Sequence, residues 1–232
     1  MDLIQNKIIF DKKRNTMLEV KILEHTKLSN AVIAARTCWG SFHKGGNYES
    51  PTDSISNDDR ELLDRLIKKS KHESIIEHVV YCVSIKGLPR FVLQELARHR
   101  IASYSVRSTR YTLKELRDEE PFIASDMDSI DRAQKYIELF NDSNDVIAGQ
   151  LTALEALRKE IKSGRSIDEC KFLLPEAYKC DLVWTINARS LINFLTLRRG
   201  RSAHFKIREL AEAIYNALPE SHRFIYSETA QS

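Results

Sequence analysis

The alternation of apolar and polar residues indicates several extended segments along this chain. Residues 18–25 alternate roughly between apolar and polar side chains, which is typical of a half-buried strand. A β-rich run at 79–85 ends at Gly87, and the short apolar run at 182–186 is typical of a buried strand. The segment 101–112 is rich in Ser, Tyr, Val and Thr, so it favours an extended conformation over a helix.

Helical spacing dominates most of the remaining chain. The clearest case begins with a capping Ser56 or Asn57 and continues with apolar residues every three or four positions, namely Leu62, Leu63, Leu66 and Ile67. Further helices are predicted at 29–39, at 89–98 with Pro89 in the first turn, at 126–163 with an interruption at 141–145, at 166–175, at 188–197 and at 203–218. The polar stretch 40–54 is predicted to be a loop. We therefore expect a single α/β domain over residues 1–232, with a helical layer.

Composition narrows the class of protein before any motif is considered. The chain has 232 residues, 42% of them hydrophobic, which is ample for a buried core and far too apolar for a disordered chain. Only 7 residues are glycine, which is few for a protein that holds nucleotides in glycine-rich loops. The net charge of +3 is too small to indicate nucleic acid or an anionic membrane by itself.

The cysteines and the apolar runs indicate a cytoplasmic protein. The four cysteines form no C-x-x-C pair and are too few for a disulfide framework, so we expect reduced, buried thiols at Cys38, Cys82, Cys170 and Cys180. The N-terminus shows no secretory signal pattern. The apolar runs are far shorter than the ~20 residues that a membrane-spanning helix needs, so no membrane association is expected.

The placement of charge is more informative than its sum. No Asp or Glu lies between Leu96 and Lys114 or between Leu182 and Arg208, although both stretches contain several arginines. Such stretches are typical either of a solvated basic face or of phosphate recognition, since the planar guanidinium matches two phosphate oxygens. Phosphate loops of the G-x-x-x-x-G-K-[ST] and G-x-G-x-x-G types are absent. A bound nucleotide would therefore be held by side chains.

One segment superficially resembles a zinc motif. His72 and His78 bracket the sequence H-E-S-I-I-E-H, whereas the H-E-x-x-H pattern needs its second histidine at position 76, which is Ile76. Residues six apart lie on different faces of a helix. We therefore expect no metal site here.

Three ordered blocks resemble a known enzyme family. Arg98-His99-Arg100, followed by seven residues and Ser108, matches the pattern R-H-R-x7-S. Residues 72–78 match an upstream H-E-x-x-x-E-H block, and residues 187–195 match N-A-R-S-L-x-N-F-L, with Arg198 in register after it. On these blocks the chain resembles the flavin-dependent thymidylate synthases over residues 24–210.

The resemblance implies a reaction and an assembly. Members of this family methylate dUMP to dTMP, with methylenetetrahydrofolate as the carbon donor, NADPH as the reductant and FAD as the carrier of the hydride. The implied fold is a twisted, mainly antiparallel sheet flanked by helices. The implied assembly is a homotetramer with active sites at subunit interfaces.

The resemblance also implies roles for individual residues. Residues expected to contact FAD are His72, Ser74, Arg98, His99, Arg100, Asn187, Arg189 and Asn193. Residues expected to bind dUMP are Glu95, Arg98, Arg107, Ser108, Thr109, Arg110 and Arg198. Arg198 is the expected catalytic residue, because a fixed cation beside the uracil ring would stabilise developing negative charge.

Four positions depart from the commoner family pattern. Glu95 stands where many members have Gln, and because a carboxylate repels phosphate we expect it to meet a donor on the base or the sugar. Val106 stands where the family often has Glu or Gln. Asp181 stands where an arginine is often found, and Ser202 where many members have a histidine. Compensation for Asp181 is expected from nearby basic residues, namely Arg199, Arg201 or Lys179.

A binding protein is the alternative hypothesis. The segment Arg98–Tyr111 interleaves arginines with Tyr104 and Tyr111, a combination that is able to follow a phosphate backbone and stack on bases. The modest net charge and the absence of a basic tail count against a single-stranded nucleic-acid binder.

Overall fold

A four-stranded antiparallel sheet organises the chain in a computed structural model that describes residues 18–140 and 143–229. The strands lie in the order β1-β2-β4-β3. Their bounds are β1 Glu19–His25, β2 Val80–Pro89, β3 Ala102–Val106 and β4 Lys179–Asn187. β1 pairs with β2 from Glu19↔Lys86 to His25↔Tyr81, with a bulge between Ile22 and Glu24. The predicted fold class is confirmed.

Helices make up most of the rest of the described chain. The α-helices are α1 Leu28–Trp39, α2 Asn57–Asp64, α3 Arg90–Leu96, α4 Thr109–Thr112, α5 Met127–Ala133, α6 Asn144–Lys162, α7 Ile167–Cys170, α8 Ala188–Arg199 and α9 Phe205–Ala217. A π-helical turn, Arg65–Lys69, continues α2, and 3-10 helices lie at Phe42–Lys44, Glu73–His78, Leu113–Asp118, Lys171–Leu173 and Glu220–Tyr226. The predicted cap of α2 is confirmed, since the Ser56 side chain accepts a hydrogen bond from the amide of Asp59.

The strand at 79–85 extends further than predicted. β2 continues through Gly87 to Pro89, and the following helix begins at Arg90, so the expectation that Pro89 opens the helix is wrong. Gly87 has φ of 73°, a left-handed conformation that glycine adopts without a Cβ clash. Its amide donates to the Asp181 carboxylate at 2.9 Å, which holds the strand in this conformation.

The helical pattern at 126–163 is broken earlier than predicted. α5 ends at Ala133 and α6 begins at Asn144, capped by Ser143; positions 141 and 142 of the expected interruption lie outside the described residues. Between the two helices, Ile137 forms a β-bridge with Tyr178, and the amide of Lys179 donates to the carbonyl of Tyr136 at 2.7 Å. Backbone pairing with a distant segment thus replaces the local helical hydrogen bonds.

The prediction of an extended segment at 101–112 is correct for its first half and wrong for its second. β3 ends at Val106, and the amide of Arg107 donates to the carbonyl of Asp181 at 2.8 Å. The chain then turns into the short helix α4, which begins at Thr109. The Ser, Thr and Tyr content of this segment does not distinguish a strand from a single helical turn.

The described chain divides into two compact units. The first unit comprises Gly87–Leu93 and Val106–Asp181, and its core is built from α5, α6 and the Leu113–Asp118 turn, with Leu116, Ile137 and Leu154 fully buried. The second unit comprises Leu18–Lys86, Gln94–Ser105 and residues 182–229. The expectation of one domain over 1–232 stays a prediction.

The core of the second unit is rich in aromatic residues. Tyr81, Trp184, Phe194 and Tyr226 are all fully buried. The Trp184 and Phe194 rings meet edge to face with their centroids 5.2 Å apart. This packing anchors the middle of α8, which carries much of the site described below.

The structure bears on the expectations about the cysteines and about membrane-spanning helices. All four cysteines are free, but only Cys170 and Cys180 are buried; Cys82 is half-buried and Cys38 is exposed, so the expectation of uniformly buried thiols is wrong. Across residues 18–140 and 143–229, every helix is too short or too polar to traverse a lipid bilayer.

Candidate functional site

A cleft of about 740 Å³ lies in the second unit. Three separate segments line it: the 3-10 helix Glu73–His78, the residues directly after α3, and one side of α8 from its cap Asn187 to Thr196. The lining residues are Glu73, Glu77, Arg98, His99, Arg100, Ile101, Asn187, Arg189, Ser190, Ile192, Asn193 and Thr196. The structure therefore brings together residues from all three sequence blocks that carry the family resemblance.

Helix α8 presents its polar residues to this cleft for a local reason. The Asn187 side chain caps the helix by accepting from the amide of Ser190 at 2.8 Å. Arg189, Asn193 and Thr196 then follow at intervals of four and three residues, which places them on one helix face. The cap oxygen of Asn187 is used in the fold, so its amide N–H donors remain for other partners.

The cleft holds both compensated and uncompensated charge. Arg189 lies 2.5 Å from Glu77 and 3.7 Å from Glu73. Arg98 and Arg100 have no carboxylate partner within residues 18–140 and 143–229. The cleft thus contains two arginine cations that the described chain does not neutralise, a property that favours an anionic ligand.

A smaller cleft of about 300 Å³ contains the remaining two predicted flavin residues, His72 and Ser74. It shares Glu73 and Arg189 with the larger cleft. Exposed Trp39, at the end of α1, also lines it. The two clefts therefore adjoin at Glu73 and Arg189.

His99 is nearly buried at the wall of the larger cleft, with 8% of its surface exposed. Burial, followed by the charges of Arg198 and Arg98, lowers the pKa of His99 to about 4. Its imidazole is therefore neutral near pH 7, and its Nε2 lies 3.1 Å from Arg198 Nε. Because Arg198 only donates hydrogen bonds, Nε2 is the acceptor and the ring proton resides on Nδ1.

Arg198 itself does not line the cleft but contacts it through His99. Its Nη1 donates to the Glu95 carboxylate at 2.9 Å. Glu95 was expected to meet a donor on the base or the sugar of dUMP; in this structure its partner is Arg198. The catalytic role of Arg198 and the dUMP contact of Glu95 stay predictions.

The predicted phosphate-binding segment lies in the first unit. Arg107 pairs with Glu115 at 2.6 Å and with Asp181 at 3.4 Å, and Arg110 pairs with Asp168 at 3.2 Å. Ser108 directly precedes α4, and Thr109 is its first residue. Their dUMP contacts stay predictions.

These pairings qualify two expectations from the sequence. Asp181 holds Arg107 and the Gly87 amide, while Arg199, one of the basic residues expected to compensate for it, pairs with Glu212 at 2.7 Å. In the segment proposed to follow a nucleic-acid backbone, Arg107 and Arg110 are neutralised by carboxylates. The absence of acids from a stretch of sequence therefore does not mean unpaired arginines.

Several lining residues were not selected from the sequence, namely Glu73, Glu77, Ile101, Ser190, Ile192 and Thr196. Sequence features that could have identified three of these residues were present. Glu73 and Glu77 belong to the H-E-x-x-x-E-H block, and Thr196 continues the helical spacing from Arg189 and Asn193. Tyr104, whose hydroxyl donates to the carbonyls of Leu96 and His99 at 2.9 and 2.7 Å, had no such signal.

Comparison with known proteins supports the family resemblance found in the sequence. The family model described as "Thymidylate synthase complementing protein" matches residues 21–222. The flavin-dependent thymidylate synthase of Wolinella succinogenes is 48% identical over 209 residues, which cover 90% of this chain and 97% of the relative. That of Campylobacter jejuni is 46% identical over 209 residues, covering 90% of this chain and 96% of the relative.

A solved structure extends the comparison to three dimensions. The crystal structure of thymidylate synthase X from Helicobacter pylori with FAD and dUMP superposes with a TM-score of 0.84 at 39% identity. The match covers 93% of this chain and all of that one. The chain therefore belongs to the flavin-dependent thymidylate synthase family.

Proposed function

We propose that this protein converts dUMP to dTMP by reductive methylation. The methylene carbon of methylenetetrahydrofolate bonds to C5 of the uracil ring, whose C5 proton leaves, and a hydride that originates from NADPH reduces the methylene to a methyl group. With one further proton taken up, the products are dTMP, tetrahydrofolate and NADP⁺. FAD, when bound, supplies the hydride transfer between NADPH and the pyrimidine.

The observation that carries this proposal is the composition of the larger cleft. Six of the eight residues expected to contact FAD line it, namely Arg98, His99, Arg100, Asn187, Arg189 and Asn193. Its volume of about 740 Å³ lies in the ordinary range for small-molecule and cofactor sites. The residues present therefore fit a flavin dinucleotide.

The chemistry of the lining residues matches the parts of FAD. Arg98 and Arg100, the uncompensated cations, would hold the diphosphate through bidentate hydrogen bonds. Asn187 and Asn193 would offer amide groups to the ring edges or the ribose. Arg189 would release Glu77 and bind the cofactor instead. This exchange costs little free energy, because the side chains of Arg189 and Glu77 are both about half exposed.

The dUMP site and the assembly complete the proposal. Arg107, Ser108, Thr109 and Arg110 would bind the dUMP phosphate, with the two arginines releasing carboxylate partners that are themselves exposed. Arg198 would stabilise negative charge on the uracil. We infer a cytoplasmic homotetramer, with methylenetetrahydrofolate and NADPH as co-substrates and with active sites shared between subunits.

A spectroscopic assay tests the function directly. The protein is purified without added cofactor, its visible spectrum is recorded, and FAD is titrated in with and without dUMP. The flavin is then reduced anaerobically with NADPH, and reoxidation is followed after adding methylenetetrahydrofolate with or without dUMP. We expect a bound flavin whose reoxidation depends on dUMP, with dTMP detected by chromatography.

Arg117→Ala is the matched control for charge removal, because Arg117 is exposed in the first unit and was assigned no part in the site. It should bind FAD and turn over as the unchanged protein does. A colourless protein that fails to bind FAD, both with and without dUMP, would contradict the proposed function.

A further inference from the structure

We propose that Glu95 is a positioning residue that acts through Arg198 on His99. The three side chains form a continuous hydrogen-bonded chain from the end of α3, through the last turn of α8, to the wall of the cleft. The inference rests on the proposed function for its catalytic consequence. The arrangement of the three side chains stands independently of that function.

The donors of the Arg198 guanidinium show what Glu95 does. Nε donates to His99 Nε2 at 3.1 Å, Nη1 to the Glu95 carboxylate at 2.9 Å, and Nη2 to the Glu95 carbonyl at 3.4 Å. These bonds use three of the five guanidinium N–H groups and leave two. Glu95 therefore fixes the plane of the guanidinium and so determines where the two remaining donors lie.

This pair differs from the exposed ion pairs of the same protein. The Arg198 side chain is 15% exposed and the Glu95 side chain 29%, whereas Arg110 and Asp168 are 67% and 61% exposed. Exposed pairs fluctuate and contribute little, whereas removing one partner of a largely buried pair leaves a charge without compensation. Loss of Glu95 should therefore displace Arg198 from its position.

The acceptor side of the chain is held just as firmly. The His99 ring packs edge to face on Phe194, with the centroids 5.0 Å apart, and Phe194 packs in the same way on Trp184. The Tyr104 hydroxyl fixes the His99 backbone through the carbonyl of that residue at 2.7 Å. His99 is thus a rigid acceptor for Arg198 Nε.

The consequence for the cleft is a defined tautomer of His99. Arg198 occupies Nε2, so the proton stays on Nδ1, for which the described chain provides no hydrogen-bond partner. His99 lines the cleft, and more than nine-tenths of its surface is buried. Its Nδ1–H therefore remains available to donate a hydrogen bond to an acceptor atom of the bound ligand. Glu95 thereby presents a neutral hydrogen-bond donor to the flavin site without lining it.

The direct role expected from the sequence makes a different prediction. If Glu95 contacts the base or the sugar of dUMP, its removal changes dUMP affinity and leaves His99 as it was. If Glu95 positions Arg198, the state of His99 changes before any ligand is added. The ligand-free protein therefore distinguishes the two roles.

Nitrogen NMR of the histidine rings provides this test. The protein is labelled with ¹⁵N at histidine, and the His99 signals are assigned by their loss in His99→Gln. Glu95→Ala is compared with Glu95→Gln, whose amide oxygen still accepts from Arg198, and with Glu212→Gln. The last is the matched control, because Glu212 pairs with Arg199, the neighbour of Arg198 on the same helix. Thermal unfolding verifies that each variant folds.

We expect the unchanged protein, E95Q and E212Q to show His99 as the Nδ1–H tautomer, and E95A to show a mixture of tautomers. In turnover, E95A should lower kcat by about 10-fold at saturating dUMP, E95Q should recover most of it, and E212Q should match the unchanged protein. E95A with unaltered His99 signals and a raised KM for dUMP alone would overturn the positioning role. If the unchanged protein neither binds FAD nor turns over, the proposed function is refuted, and altered His99 signals in E95A would still uphold the positioning role.

Discussion

The two arginine-rich regions of this protein look alike in sequence and differ in structure. In the second unit, Arg98 and Arg100 line a 740 Å³ cleft without a carboxylate partner among the described residues. In the first unit, Arg107 and Arg110 are each paired with carboxylates. The unpaired arginines of the second unit keep the cleft positively charged, which favours an anionic ligand. The paired arginines of the first unit are neutralised by exposed carboxylates, which a ligand is able to displace.

This difference shows that a charge pattern in the sequence indicates a binding site only where folding leaves the charges unpaired. A run without acids says nothing about acids that folding brings from elsewhere, such as Asp168, 58 residues from Arg110. Unpaired arginines in a cleft attract an anionic ligand without first releasing a carboxylate partner. Paired arginines at the surface must first release a partner, which costs about 0–1 kcal/mol at such exposure.

The largest expected effect is that of Arg198→Ala. This change removes the cation proposed to stabilise charge on the uracil, so kcat should fall by about 10²- to 10³-fold. FAD absorbance should be retained, because Arg198 does not line the flavin cleft. Stopped-flow turnover together with the visible spectrum measures both quantities, and normal turnover would show that the assigned role is wrong.

Arg98→Ala should produce the next largest effect, on FAD affinity. Loss of one charged hydrogen-bond partner costs about 1.5–3 kcal/mol, or roughly 10- to 150-fold in Kd. Fluorescence titration of FAD measures the change, with Arg117→Ala as the control for net charge. Equal weakening in the two variants would show that the effect comes from overall charge and not from the cleft.

Arg110→Ala should have a smaller effect and act on a different ligand. The dUMP Kd should rise by about 5- to 10-fold, corresponding to roughly 1 kcal/mol, because the phosphate contact is offset by release of exposed Asp168. Calorimetric titration of dUMP into the FAD-loaded protein measures it. A change in FAD affinity and none in dUMP affinity would reverse the comparison between the two regions.

The last expected effect is on folding stability instead of ligand binding, and it arises from His99. Its pKa is about 4 in the folded chain against an ordinary value of 6.5, so between these values the unfolded chain binds more protons. The free energy of unfolding should therefore decrease as pH falls from about 6.5 to about 4. Urea unfolding at pH 7 and pH 5 should show a smaller decrease in His99→Gln than in the unchanged protein. A residual decrease is expected from buried His222, whose pKa burial also lowers.

Local patterning predicted those elements whose hydrogen bonds are local. β1, α1 and the Ser56 cap of α2 lie within a residue or two of their expected positions. The break after Ala133 was misplaced because it depends on pairing between Ile137 and Tyr178, 41 positions apart. No periodicity near Ile137 encodes that partner.

The candidate site divides in the same way. The three motif blocks predicted six of the cleft residues, because each block is a short local pattern. The contact between Arg198 and Glu95 joins residues 103 positions apart and was not predicted. Nor was the Tyr104 hydroxyl that fixes His99, since a tyrosine in a strand has no sequence feature that distinguishes a packing role from a positioning one.

The measurement that tests the central claim most directly is FAD affinity in two double variants. Arg98→Ala/Arg100→Ala and Arg107→Ala/Arg110→Ala each remove two positive charges, one pair from the cleft and the other from the ion-paired segment. We predict that the first raises the FAD Kd by about 100-fold or more, from two contacts of about 1.5 kcal/mol each, and that the second changes it by less than about two-fold. Equal losses in the two variants, or a larger loss in the second, would contradict the assignment of the flavin to this cleft.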